Sequence, residues 1–108
     1  MSYAFPLWDV PSVSVDGSKD VFPVRRIYCI GRNYAAHARE MGSDLREPPF
    51  FFLKPADAVV PGDATIAYPP KTENFHYEGE LVVAIGTGGA DIALEKANDH
   101  IFGYGVAV

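Results

Sequence analysis

The sequence predicts an α+β chain that is mostly β, and three observations carry that expectation. Short runs rich in β-branched and aromatic residues recur along the chain: RIYCI (26–30), FFFLK (50–54), LVVAI (81–85) and IFGYGVAV (101–108). Turn-forming Gly, Pro and Asp residues separate them. Only two stretches, YAAHAREM (34–41) and the residues from Ala93 to His100, have the composition of a helix, and both are short.

Each element follows from local chemistry. Residues 1–24 alternate apolar residues with Pro, Ser, Asp and Gly, and VSVDGSKD (13–20) reads as a strand end followed by a tight turn at Asp16-Gly17. This makes 1–24 an N-terminal arm or hairpin. RIYCI is a strand that ends at Gly31. Asn33 can cap a helix over YAAHAREM, closed by Gly42. A helix of about eight residues is marginal in isolation, so packing must hold it or it moves. GSDLREPP (42–49) is a polar loop. FFFLK reads as a buried strand ended by Pro55. ADAVVPGDATIAYPPK (56–71) predicts two further short strands around a Pro61-Gly62 turn. A strand carrying Glu78 and Glu80 follows and stops at GTGGAD (86–91); a helix over Ala93–His100 has Asp91 near its start, and IFGYGVAV opens another strand. The sequence ends inside this apolar run, without a cap or polar tail, and Val108 therefore reads as a truncation point.

Bulk composition narrows the function classes. A chain of 108 residues, 48% hydrophobic and 21% charged, has the make-up of one small soluble domain. Its net charge of −5 and scattered basic residues argue against a nucleic-acid partner, since nothing clusters to neutralise phosphates. One cysteine, Cys29, allows no internal disulfide and fits a reducing compartment. The opening MSYAFPLWDVPSV lacks the positive start of a signal peptide and is broken by Pro6, Asp9 and Pro11. No apolar run is long enough to span a bilayer. The expected setting is cytoplasmic, without membrane or nucleic acid.

The glutamates of NFHYEGELVVAIG (74–86) pose the sharpest question. Residues two apart share a face of a strand, with Cα atoms roughly 7 Å apart. Two carboxylates at that spacing repel by about 0.6 kcal/mol in water and about 2 kcal/mol at an effective dielectric of 20. An exposed pair is therefore cheap; an enclosed pair calls for a compensating charge, and a divalent cation on carboxylate oxygens is the usual one. His76 precedes them on the same face and could extend the set to a transition-metal site, against the plainer reading of a solvated strand-edge histidine.

Other candidates have equally plain alternatives. His37 and Glu40 lie three apart in the short helix, an arrangement in which a carboxylate can orient a general base; an exposed pair is the ordinary alternative. Glu40 falls in the last turn, where the helix dipole disfavours a carboxylate. Lys54 could snorkel at a strand end or line a pocket, and Arg32 could clamp a carboxylate or sit on the surface. Cys29 has no base near it in sequence and reads as a buried structural thiol. GTGGAD lacks the lysine and spacing of a phosphate-binding loop and reads as a turn.

Four stretches taken together resemble the fumarylacetoacetate hydrolase family: GRNYAAHAREMG (31–42), PPFFFLKPADAVVPGD (48–63), YEGELVVAIG (77–86) and FGYGVAV (102–108), in the family's order and at its spacing. Within it, FPVRRIYCIGRNYAAHAREMG and AYPPKTENFHYEGE look most like the bacterial fumarylpyruvate hydrolase branch of gentisate-type aromatic degradation. The resemblance implies that 25–108 is the N-terminal part of a single catalytic domain, a mixed β-roll of the family's type that is incomplete here, and a homodimer when complete. It implies Mg²⁺ or Mn²⁺ held by Glu78 and Glu80 with a third carboxylate beyond Val108, and a catalytic dyad of His37 and Glu40 on a lid helix. The implied substrate is a small 2,4-dioxo acid such as fumarylpyruvate. His37, oriented by Glu40, would take a proton from water for attack on the distal carbonyl, and the cation would act as Lewis acid for the departing pyruvate enolate.

Three other expectations stand beside this one. The same framework could serve another acylpyruvate hydrolase, an oxaloacetate decarboxylase or a dioxo-acid isomerase. The chain could also be an inactive fragment or a module that only binds or dimerises. A plain β-rich structural protein would leave the two paired motifs without explanation.

Overall fold

Alternating apolar runs can bury side chains only by pairing, and the computed structural model, which describes residues 1–31 and 48–108, pairs them two by two. Six strands form three antiparallel pairs: β1 (Ser12–Ser14) with β2 (Val21–Pro23), β3 (Ile27–Gly31) with β4 (Phe50–Lys54), and β5 (Glu80–Ile85) with β6 (Ile101–Ala107). The described chain divides into two units, Met1–Ile66 and Ala67–Val108. The helix expected over YAAHAREM lies outside the described residues.

In the first unit, β1 and β2 form the expected hairpin, with Val13 opposite Phe22. Its turn places Gly17 at φ 73°, a left-handed conformation that glycine adopts without Cβ strain, and Ser18 N–H donates to the Val15 carbonyl at 3.2 Å. Beyond the hairpin, Val24 N–H donates to the Pro11 carbonyl at 2.7 Å, extending the pairing past Pro23.

Strands β3 and β4 run in the register Ile27–Lys54, Tyr28–Leu53, Cys29–Phe52, Ile30–Phe51 and Gly31–Phe50. Opposed residues share a face. Tyr28, Ile30, Phe51 and Leu53 therefore occupy one side, and the Tyr28 and Phe51 rings lie 6.2 Å apart across it. On the other side the Phe50 ring lies over Gly31, in the space that a side chain at Gly31 would need. Gly31→Ala is expected to push this exposed ring aside and cost about 1 kcal/mol, read as a fall of a few degrees in thermal midpoint.

Two expectations are corrected in this unit. FFFLK forms its strand at the expected residues, but every side chain from Phe50 to Lys54 is exposed. An apolar run specifies extended backbone locally, whereas burial needs a second layer, and none covers this strand among the described residues. Cys29, expected to be buried, is half-buried in β3 for the same reason. The two further strands expected within 56–71 do not form. Ala56–Ala58 is a single 3₁₀ turn and the rest is irregular, although Gly62 takes the left-handed φ of 73° that its turn requires. Pro61, Pro69 and Pro70 offer no N–H, so the segment has few donors for a ladder.

In the second unit, β5 and β6 pair from Glu80–Ala107 to Ile85–Ile101, with a bulge at Ala84/Ile85. The stretch Leu94–His100, expected as an α-helix, is a 3₁₀ helix. Seven residues wedged between a loop and a strand give little room for α-helical propagation, and the tighter winding needs fewer residues per turn. Asp91 takes a left-handed φ of 53°, which Asp tolerates better than most residues. His100 closes the connection: its Nδ1 lies 2.8 Å from the Thr87 carbonyl, and its own carbonyl accepts from Gly86 N–H at 2.9 Å and Thr87 N–H at 3.3 Å. GTGGAD is irregular, in keeping with the turn expected there. No helix of the described residues is long and apolar enough to cross a membrane.

Candidate functional site

The glutamate pair sits at the start of β5, and the strand decides how each is held. Glu80 is the first residue of β5, half-buried and paired with Ala107. Glu78 precedes the strand and is exposed, separated from Glu80 by Gly79. The sequence placed both on one strand face; the ladder holds only Glu80.

The register places Glu80 on a particular surface. Its face of the sheet carries Val82 and Ala84 from β5 and Gly103, Gly105 and Ala107 from β6. The opposite face carries Leu81, Val83, Tyr104 and Val106. Small residues thus surround the half-buried carboxylate, and a Cβ built on Gly103 would meet nothing within 4 Å. Sequence reasoning missed this small-residue face, although its signal was present in FGYGVA, where small and large residues alternate at the strand period.

The donor chemistry fits a hard divalent cation. Carboxylate oxygens are the ligands that Mg²⁺ and Mn²⁺ take. The pair supplies two donors, and among the described residues no three His, Cys, Asp or Glu side chains converge on a common metal position. His76 does not join them. Its Nε2 hydrogen-bonds Asn74 Oδ1 at 2.5 Å, and an amide oxygen only accepts, so that nitrogen carries the proton instead of offering a lone pair. Asn74 is itself tied back through its N–H to Thr72 Oγ1 at 3.0 Å, and Tyr68 and Phe75 stack edge to face at 5.5 Å, which gives the approach to Glu78 local order.

Of the remaining candidates, Lys54 is the last residue of β4 in the first unit, exposed and opposite Ile27. Arg32, His37 and Glu40 lie outside the described residues.

Comparison with known proteins is informative at this point. The family pattern described as fumarylacetoacetate (FAA) hydrolase C-terminal matches residues 26–108. A crystal structure of fumarylpyruvate hydrolase from Pseudomonas aeruginosa, in complex with Mn²⁺ and pyruvate, superposes with a TM-score of 0.91 at 58% identity, covering 97% of this chain and 47% of that one. A second solved structure, from Burkholderia cenocepacia, gives 0.82 at 54% identity over 98% of this chain and 45% of that one. Among curated proteins, a mitochondrial oxaloacetate decarboxylase from Dictyostelium discoideum is 42% identical over 78% of this chain and 39% of its own length. An oxaloacetate tautomerase from Bacillus subtilis is 46% identical over 76% of this chain and 28% of its own length. The chain thus spans less than half the length of the relatives it matches. A match across three-quarters of the sequence, with the same mostly β architecture in solved relatives, settles the family: the chain belongs to the fumarylacetoacetate hydrolases.

Proposed function

We propose that the protein carrying this chain is a metal-dependent hydrolase that cleaves a C–C bond of a 2,4-dioxo acid, with fumarylpyruvate, giving fumarate and pyruvate, as substrate. The observation that carries the reading is the likeness to the Pseudomonas aeruginosa enzyme: 58% identity and a TM-score of 0.91 over nearly the whole chain. Identities of 42% and 46% to the oxaloacetate enzymes are lower and extend over less of the chain, so they support the family framework more than the reaction.

In this reading Glu78 and Glu80 hold Mg²⁺ or Mn²⁺. The cation supplies Lewis-acid stabilisation of negative charge on the dioxo acid's oxygens. Glu80 keeps its position through the β5–β6 ladder, on the face that carries Gly105 and Ala107. His37 accepts a proton from water, with Glu40 orienting the imidazole. The hydroxide so formed would add to the distal carbonyl; collapse of that adduct would break the C–C bond, releasing fumarate and the pyruvate enolate, which takes up a proton to give pyruvate. Lys54 and Arg32 are cations suited to the substrate's carboxylates. The enzyme works as a cytoplasmic homodimer in gentisate-type aromatic catabolism, with neither membrane nor nucleic acid as partner.

A side-by-side substrate panel tests the reaction. With Mg²⁺ or Mn²⁺ present, kcat/KM for fumarylpyruvate is expected to exceed that for oxaloacetate by roughly 10- to 100-fold, the range that differential pocket contacts supply. Preference for oxaloacetate, read as decarboxylation or tautomerisation, would replace this reading with the second one.

A further inference from the structure

The two glutamates are not held alike. Glu80 is fixed in the β5–β6 ladder, whereas Glu78 lies before the strand, exposed, with Gly79 between them. Glycine has more conformational freedom to lose than any other residue, so the ladder does little to fix Glu78 through it. What orders Glu78 must come from the residues before it. A ligand that has to immobilise a group on binding is bound correspondingly less tightly, and order present beforehand restores that affinity.

The preceding residues carry a chain of contacts. The Nε2–H of His76 donates to Asn74 Oδ1, and Asn74 N–H donates to Thr72 Oγ1 at 3.0 Å. Tyr68 and Phe75 flank the loop PPKTEN (69–74), and their rings meet edge to face at 5.5 Å, tying its two ends together. Each of these contacts is local to 68–76. A polar bond and an aromatic contact therefore both brace the chain just before Glu78, in a segment without helix or strand.

From this we infer that Asn74 and His76 are positioning residues for Glu78. Their side-chain bond holds the segment that enters β5, so the Glu78 carboxylate meets the cation with less ordering left to do. The inference rests on the reading of Glu78 as a metal ligand and deepens it: His76 acts on the ion through Asn74 and the backbone, not as a ligand.

The test is a double-mutant cycle on the whole protein that carries this chain, read by calorimetric Mn²⁺ titration and by a melting curve without metal. Asn74→Ala and His76→Ala are each expected to weaken Mn²⁺ binding about two- to tenfold, the range that one ordinary hydrogen bond supplies, and the double variant no further. His76→Gln, whose amide N–H reaches close to the place of the imidazole Nε2–H, should keep most of the affinity. Asn74 and His76 are exposed, so the melting midpoint without metal should not move. The inference is overturned if either single variant binds Mn²⁺ as the parent does, if the two losses add in the double variant, if His76→Gln loses as much as His76→Ala, or if the midpoint falls together with the affinity. Glu78→Ala, run alongside, separates the two levels. Full Mn²⁺ affinity there removes the metal role of Glu78 and the positioning role with it. Lost affinity there, with parental binding in Asn74→Ala and His76→Ala, removes the positioning role alone.

Discussion

His37→Ala is expected to lower kcat by about 100- to 10,000-fold, the usual contribution of a positioned general base, while Mn²⁺ affinity stays almost unchanged. His37 belongs to a stretch whose only other acidic candidate three residues on is Glu40, so the expected division of labour is base and orienter on one element, cation on another. Removing the imidazole takes away the acceptor for water's proton but no ligand of the ion. Glu40→Gln should act in the same direction more weakly, because a neutral amide still hydrogen-bonds the ring while losing the charge that favours the imidazolium. Single-turnover kinetics together with a Mn²⁺ titration check both. A large loss of Mn²⁺ affinity in His37→Ala would place the histidine among the ligands and end the assignment.

Glu78→Ala and Glu80→Ala are expected to do the reverse. In the proposed site each removes a carboxylate donor, and the loss in Mn²⁺ affinity should reach at least about 100-fold, the upper end of what removing even an outer-shell partner costs. Neither variant should disturb the fold. Glu80 sits in the ladder opposite Ala107, so Ala there keeps backbone pairing and leaves the strand intact. Glu78 lies before the strand, beside Gly79, and its replacement should leave thermal stability unchanged in the absence of metal. Isothermal titration with Mn²⁺ and a melting curve without metal check both expectations. If His37→Ala and Glu78→Ala lost metal equally, the separation into base and cation site would fail.

Much of the regular structure was legible because strands announce themselves locally. The runs RIYCI, FFFLK, LVVAI and IFGYGVAV became β3, β4, β5 and β6 within a residue or two, and the Asp16-Gly17 turn joins β1 to β2. β-Branched and aromatic side chains favour extended backbone wherever they stand, and glycine marks the turn that needs its φ. The same local reasoning overreached in 56–71, where apolar residues were present but prolines removed donors and no partner strand came alongside. It also overreached in Leu94–His100, where composition favoured an α-helix and the length between flanking elements permitted only a 3₁₀ one.

The sequence by itself determined the family motifs, the order of strands and the residue types available for chemistry: the Glu78–Glu80 pair, the His37–Glu40 pair, Lys54 and Arg32. Only tertiary structure decided which partner each strand takes, and with it which residues share a face. Pairing of β5 with β6 put Glu80 on one face with Gly103, Gly105 and Ala107 and set Leu81 and Tyr104 on the opposite side. His76 hydrogen-bonds Asn74 through Nε2. These outcomes were out of reach of local reading because register is a contact between residues some twenty positions apart. Burial was out of reach for a related reason: FFFLK specifies a strand through its own side chains, but whether Phe50 to Leu53 are covered depends on a second layer that no property of those residues encodes.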